Sequence, residues 1–230
     1  MKLLAIESAF EACSVALWQD GACLERVHTE PRGHATVLLP TIEALLGEGG
    51  VTLVDLDGIA FSRGPGSFTS LRIGIGVVQG LAYGADIPVW PVSSLRLVAQ
   101  GAVTPVDGVS GSPVERAWVA MDARMGEVYT GCYRLEGAIM KAFGPERVCP
   151  PEDAAPKAPD RWTPLGSGFE RFDVLRGLAG GRGRSAWPRA AVLASLAAAE
   201  WSADRALSAE LAQPVYLRNQ VAEKPASTAG

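Results

Sequence analysis

The stretch Gly58-Ile59-Ala60-Phe61-Ser62-Arg63-Gly64-Pro65-Gly66-Ser67-Phe68-Thr69 passes from a short apolar run into a Gly-Pro-Gly turn. The apolar run reads as a buried strand. Gly-Pro-Gly marks a tight turn, and Ser67 or Thr69 can cap the helix that follows. That helix is predicted from about Phe68 to Tyr83. Pro88-Val89-Trp90-Pro91-Val92 predicts the next strand, and Ser93 can cap a helix to about Gln100. Strand, helix, strand, helix in this order argues for an α/β layer.

Working outward, residues 3 to 27 read as a β-hairpin or meander. Leu3-Leu4-Ala5-Ile6 is followed by Cys13-Ser14-Val15-Ala16-Leu17-Trp18, and Gln19-Asp20-Gly21 supplies a turn to a third strand, Ala22 to Val27. Leu38, Ile42, Leu45 and Leu46 share one face of a helix near Ala35 to Leu46. Pro40 inside it predicts a kink or a late start. Thr52 and Asp55 resemble a capping box for one short helical turn.

Beyond residues 101 to 116, a Gly-, Pro- and Ser-rich connection, the opening pattern recurs. Ala120-Met121-Asp122-Ala123-Arg124 matches Ala5-Ile6-Glu7-Ser8-Ala9, and each acid is followed by a second strand and a turn glycine, Gly21 or Gly137. Two related lobes are expected rather than a solenoid. Prolines crowd residues 145 to 164, which predicts mostly loop there, and residues 190 to 200 predict a helix. The expected division is 1–101 for an N-terminal lobe carrying partner-binding helices, 102–222 for a smaller second lobe, and 223–230 for a frayed tail.

The chain has 230 residues, with 21 Lys+Arg against 25 Asp+Glu, and its net charge is -4. Through Gly101 there are 6 basic and 10 acidic residues; after it there are 15 of each. No basic arm for free-standing nucleic-acid binding is present. No run of ~18 apolar residues suits a membrane span, and the opening residues do not read as a secretory leader. The four cysteines form no C-x-x-C pair. Free thiols and a cytoplasmic chain are the expectation.

Chemistry-bearing constellations are few. His28 and His34 form no zinc motif, and no G-x-S-x-G elbow accompanies them. His34 reads as a surface residue at a helix start. Gly64-Pro65-Gly66-Ser67 precedes a helix but lacks the Gly-Lys-Ser/Thr of a Walker A loop. Glu7 and Asp122 open the two hairpins; each could hold a hydrated metal ion or be a buried structural acid. No metal, no cofactor and no catalytic residue is assigned.

The helix Leu71 to Ala82 is apolar nearly all round and carries Gly74, Gly76 and Gly80. Each glycine costs ~1 kcal/mol of helix propensity relative to Ala. One reading is a central core helix. The other places one face on its own sheet and the other on a partner. Ile73, Gly76, Val77 and Gly80 form a stripe suited to that, and Leu38 and Ile42 on the preceding helix extend it.

Several segments together resemble the TsaB family of tRNA threonylcarbamoyladenosine biosynthesis proteins. They are Leu4-Ala5-Ile6-Glu7-Ser8 with Ala12 to Leu17, His34 with Leu38-Leu39-Pro40, Arg63 to Thr69 with Leu71-Arg72-Ile73-Gly74, Asp122 to Tyr129, and Pro214-Val215-Tyr216-Leu217-Arg218. The matches run in order from residue 3 to about 219, most specifically over Arg63 to Gly80. Family members more often have Asp where this chain has Glu7. The resemblance implies a two-lobe actin-like, Hsp70-like and sugar-kinase-like (ASKHA) fold. It implies a non-catalytic subunit that binds and activates the transferase TsaD, with the ATPase TsaE in a larger complex, in threonylcarbamoylation of adenosine 37. The two metal-binding histidines of TsaD fall here at Ser94 and Val98, a poor ligand and a non-ligand. Two alternatives remain: a stand-alone ATPase or phosphotransferase using Glu7, Asp122 and the Gly-Pro-Gly turn, and a homodimer through the same apolar face.

Overall fold

A computed structural model describes residues 1–29, 33–104, 114–202 and 204–218. The expected tail at 223–230 and the middle of the connection at 101–116 lie outside the described residues. Two five-stranded sheets and six α-helices make up the described chain.

The first sheet has the order β3-β2-β1-β4-β5. It is built from β1 (Lys2–Glu7), β2 (Cys13–Gln19), β3 (Ala22–His28), β4 (Gly58–Ser62) and β5 (Val89–Val92). The first three strands are antiparallel neighbours, and β4 and β5 add in parallel. The β2–β3 turn is two residues long, with Asp20 and Gly21 both at positive φ. That conformation matches the twist of a hairpin, and an Asp-Gly pair adopts it readily.

Both faces of this sheet are covered, so β1 is a continuous apolar run rather than an alternating one. Leu4, Ile6, Val15, Ile59 and Phe61 face α1 (His34–Gly49) and α2 (Phe68–Ala85). Leu3, Ala5, Ala16 and Ala60 face α6 (Ala190–Glu200). Alanine opposes alanine across that contact, which lets the helix lie close to the strands. The helix α6, which falls in residues 102–222 of the expected division, packs on the first sheet. Arg189 at its start supplies no side-chain cap. Ser14 Oγ and Glu25 Oε1 instead accept from the Ala190 and Ala191 amides at 2.9 and 3.0 Å, satisfying orphan donors of the first turn.

The second sheet contains β6 (Arg116–Asp122), β7 (Val128–Glu136), β8 (Ile139–Ala142), β9 (Arg147–Cys149) and β10 (Thr163–Leu165), ordered β10-β6-β7-β8 with β9 also on β7. Its β6–β7–β8 meander is antiparallel and β10 is parallel to β6. One face packs on α3 (Ser94–Gly101), the other on α4 (Gly168–Arg171) and α5 (Asp173–Leu178). The Gln100 side chain accepts from Met140 N and donates to Ala138 O, tying α3 to β8.

Several local expectations need correction. Pro40 neither delays nor ends α1, which runs from His34 through it to Gly49. His34 does start the helix but is buried, with Nε2 lacking a hydrogen-bond partner. Two further short helices, α4 and α5, precede α6 in the second half.

Candidate partner-binding face

The expected turn and cap form as the sequence suggests: Ser67 is the N-cap of α2 and accepts from Ser70 N. The turn backs onto the first hairpin, because Ser67 N donates to Ala9 O at 2.6 Å. A Cβ at Gly66 would overlap the same carbonyl. The loop therefore spends a backbone donor and its free space internally rather than presenting them to a phosphate.

From this anchor α2 turns Leu71, Gly74, Ile75, Val78 and Ala82 into the core. Gly74 is required there: a Cβ would overlap Ser8 Oγ at the end of β1. The opposite face is different. Gly76, Gly80 and Gly84 are exposed, and a Cβ on any of them meets no other heavy atom within 4 Å. Four residues apart, they form a ridge-free strip along the outer surface of the helix. Ile73 and Val77 flank it, half-buried against the first core.

The structure thus keeps Ile73, Gly76, Val77 and Gly80 on one accessible side of α2. Leu38 and Ile42 do not join them. They are 1% and 3% exposed, inside the core beneath α1. Their helical spacing marks the inner stripe of α1, the face any single sheet-packed helix must bury. The outer face of α1 carries Leu39, 51% exposed, with Pro40, Glu43 and Ala44. Gly84 extends the strip by one more turn. Its spacing from Gly80 was visible in the sequence, although it falls beyond the predicted helix end.

The two acids separate in character. Glu7 is 1% exposed, and its Oε1 accepts from Ala9 N at 2.8 Å. Burial pushes its carboxyl up to about 8, against the pull of the Ala9 amide and the Ser62 hydroxyl. Among the described residues no base stands beside it to favour ionisation. Asp122 is half-buried; its Oδ1 accepts from Arg124 N at 2.8 Å, and Arg171 lies 4.0 Å from its other oxygen. Among the described residues no three His, Cys, Asp or Glu side chains gather as a metal cluster. Ser94 and Val98 are both buried, Val98 in the core of the second sheet.

A mixed α/β chain of two sheets, with a meander in each, two parallel strands added to the first and one to the second, fits the actin-, Hsp70- and sugar-kinase-like class. A family model described as TsaD, tRNA N6-adenosine threonylcarbamoyltransferase, matches residues 27–169. The tRNA threonylcarbamoyladenosine biosynthesis protein TsaB of Escherichia coli is 39% identical over 97% of each chain, and that of Haemophilus influenzae 36% over 97% of this chain and 96% of its own. The solved structure of YeaZ from Pseudomonas aeruginosa superposes with a TM-score of 0.82 at 42% identity, covering 94% of this chain and 99% of the other. The chain belongs to the TsaB family. No helix is long and apolar enough to cross a membrane among the described residues.

Proposed function

We propose that this chain acts in threonylcarbamoylation of tRNA as an accessory subunit rather than as the transferase, and that it binds TsaD through the outer face of α2. The carrying observation is the exposed Gly76–Gly80–Gly84 strip on a TsaB-family chain. Interior Gly76 and Gly80 each weaken the helix by ~1 kcal/mol relative to Ala. Among the described residues nothing packs against them in return, so close approach of another backbone is the physical use they fit. Half-buried Ile73 and Val77 on α2 and exposed Leu39 on the outer face of α1 supply apolar area.

In this reading the molecule has two related lobes. Sheet orders 3-2-1-4 and 8-7-6-10, with matching strand directions, support the duplication. The first lobe is residues 1–101 completed by α6 and the segment that follows it; the second is residues 114 to about 185. A cytoplasmic site of action and assembly with TsaE belong to the same proposal.

The test is reconstitution of tRNA modification with TsaD, TsaE, the threonylcarbamoyl-adenylate synthase, threonine, bicarbonate and ATP, with and without this chain. Product that depends on this chain is expected. Equal product in its absence overturns the proposal. The stand-alone ATPase reading rests on Glu7, Asp122 and the turn. It is opposed by a carboxyl that burial keeps protonated near neutrality and by a turn packed against Ala9. It requires ATP to raise the melting temperature of the isolated chain. A homodimer through the α2 face would appear as concentration-dependent mass that TsaD displaces.

A further inference from the structure

A second feature lies on the other half of the molecule, in the Pro-rich stretch whose role the sequence leaves open. Between β7, the end of β8 and residues 154–162 there is a slot of about 280 Å³. Phe143 and Trp162 form its aromatic wall, with ring centroids 5.6 Å apart. Trp162 is buried at the base, whereas Phe143 is 49% exposed at the mouth. Behind Phe143 lies the Arg134 guanidinium, 3.5 Å from the ring centroid, with a buried Nε that has no hydrogen-bond partner.

Two cations line this slot, and three others lie next to its residues by stacking, strand register or chain position. Arg147 and Lys157 line the slot. Arg116 stands opposite Arg134 in the β6–β7 register, and Arg161 precedes Trp162 in the chain. None of these five makes an ion pair among the described residues. Arg147 bonds the backbone carbonyl of Asp153, not its carboxylate. Like charges directly opposite in a sheet destabilise it, and of the Arg116–Arg134 pair Arg134 is offset by its stacking on Phe143. An exposed aromatic backed by a guanidinium is a stacking platform, and flanking cations suit a phosphate chain. The cations outnumber what one phosphate needs, which favours a strand over a free nucleotide.

We infer that this slot binds an unpaired nucleotide of an RNA strand, the base stacking on Phe143 and the adjoining phosphates meeting Arg147 and Lys157. The inference rests on the tRNA reading only for choosing RNA among anions; it is independent of the α2 face. The experiment uses the full chain alone, titrated into a fluorescein-labelled RNA hairpin with a seven-nucleotide loop and followed by anisotropy. A parallel titration uses the fully paired duplex of the same stem. Loop-dependent binding is expected, weakened about tenfold or more by Phe143→Ala and also by Lys157→Glu, an exposed position whose substitution leaves the fold intact. Phe143→Leu, which keeps apolar packing, should lose affinity as Phe143→Ala does. No binding, equal binding to duplex, or wild-type affinity in all three variants overturns the inference. Because no other pathway protein is present, its failure is distinct from failure of the reconstitution.

Discussion

Glu7 shows how one side chain can couple the fold to pH. Its native carboxyl titrates at about 8, against 4.5 for an ordinary glutamate. Between those values the native chain holds a proton that the unfolded chain has released. The stabilisation it represents is fully present below pH 4.5 and is lost as pH rises through 8. Glu7→Gln keeps the shape and cannot ionise. Chemical denaturation of the variant between pH 5 and 9 should therefore show a flatter profile, with stability at pH 8.5 higher by on the order of 2–4 kcal/mol. An unchanged pH profile would mean that Glu7 is ionised in the native state. The charge of this residue was legible in the sequence. Its protonation state was not, because it is set first by burial in the folded core, and then by the Ala9 amide and by the Ser62 hydroxyl more than fifty residues away.

At the scale of the element, α2 separates two kinds of glycine that look alike in sequence. Gly74 faces Ser8, so Gly74→Ala must push the helix from the sheet, a loss of roughly 1–3 kcal/mol. Gly80 faces open space, so Gly80→Ala should gain about 0.5–1 kcal/mol, or a few degrees in melting temperature. Opposite shifts in a thermal melt are expected; a loss in both would place Gly80 against structure of its own chain. Gly80→Arg serves the partner question better than Val77→Glu. Val77 packs partly on the core, so its charge substitution also destabilises the monomer. Gly80→Arg should leave a folded chain and lower TsaD affinity at least tenfold in calorimetry. Wild-type affinity would remove the α2 face from the proposal. The helix and its cap were readable because Ser67 and the Gly-Pro-Gly turn lie next to it. Which side stays open was not, since periodicity places residues on faces without saying which face meets a neighbour.

At the scale of the whole molecule, the segment from Pro214 to Arg218 fastens the two sheets together. Val215 N donates to Arg63 O at 2.8 Å, and Arg72 Nε donates to Tyr216 OH at 3.1 Å, on the side of the first sheet. Three residues on, Arg218 bonds Glu127 at 2.5 Å and the Ala123 and Arg124 carbonyls, at the β6–β7 turn of the second. A second fastening is half-buried, where Ser93 and Tyr133 both donate to Glu146. Arg218→Ala leaves the Glu127 carboxylate and two carbonyls without this donor, a cost of about 1–3 kcal/mol. Faster amide exchange confined to residues 123–128 is expected, with α6 and β1 unchanged. Uniform exchange throughout would show that the segment does not hold the turn.

The sequence by itself determined the strands of the first sheet, the capped turn before α2, the helix at Ala190–Glu200 and the family. These depend on neighbours along the chain: an apolar run, a two-residue turn with positive φ, a serine one position before a helix. The tertiary structure alone decided that α6 returns to the first sheet, that Leu38 and Ile42 are core, and that Gly76, Gly80 and Gly84 face outward. It also brought Phe143, Trp162, Arg147 and Lys157 to one slot, with Arg134 stacked on Phe143. Each of those outcomes is set by contacts between residues far apart in the chain. Burial there is decided by which surfaces meet, and local pattern carries no information about the surface on the other side.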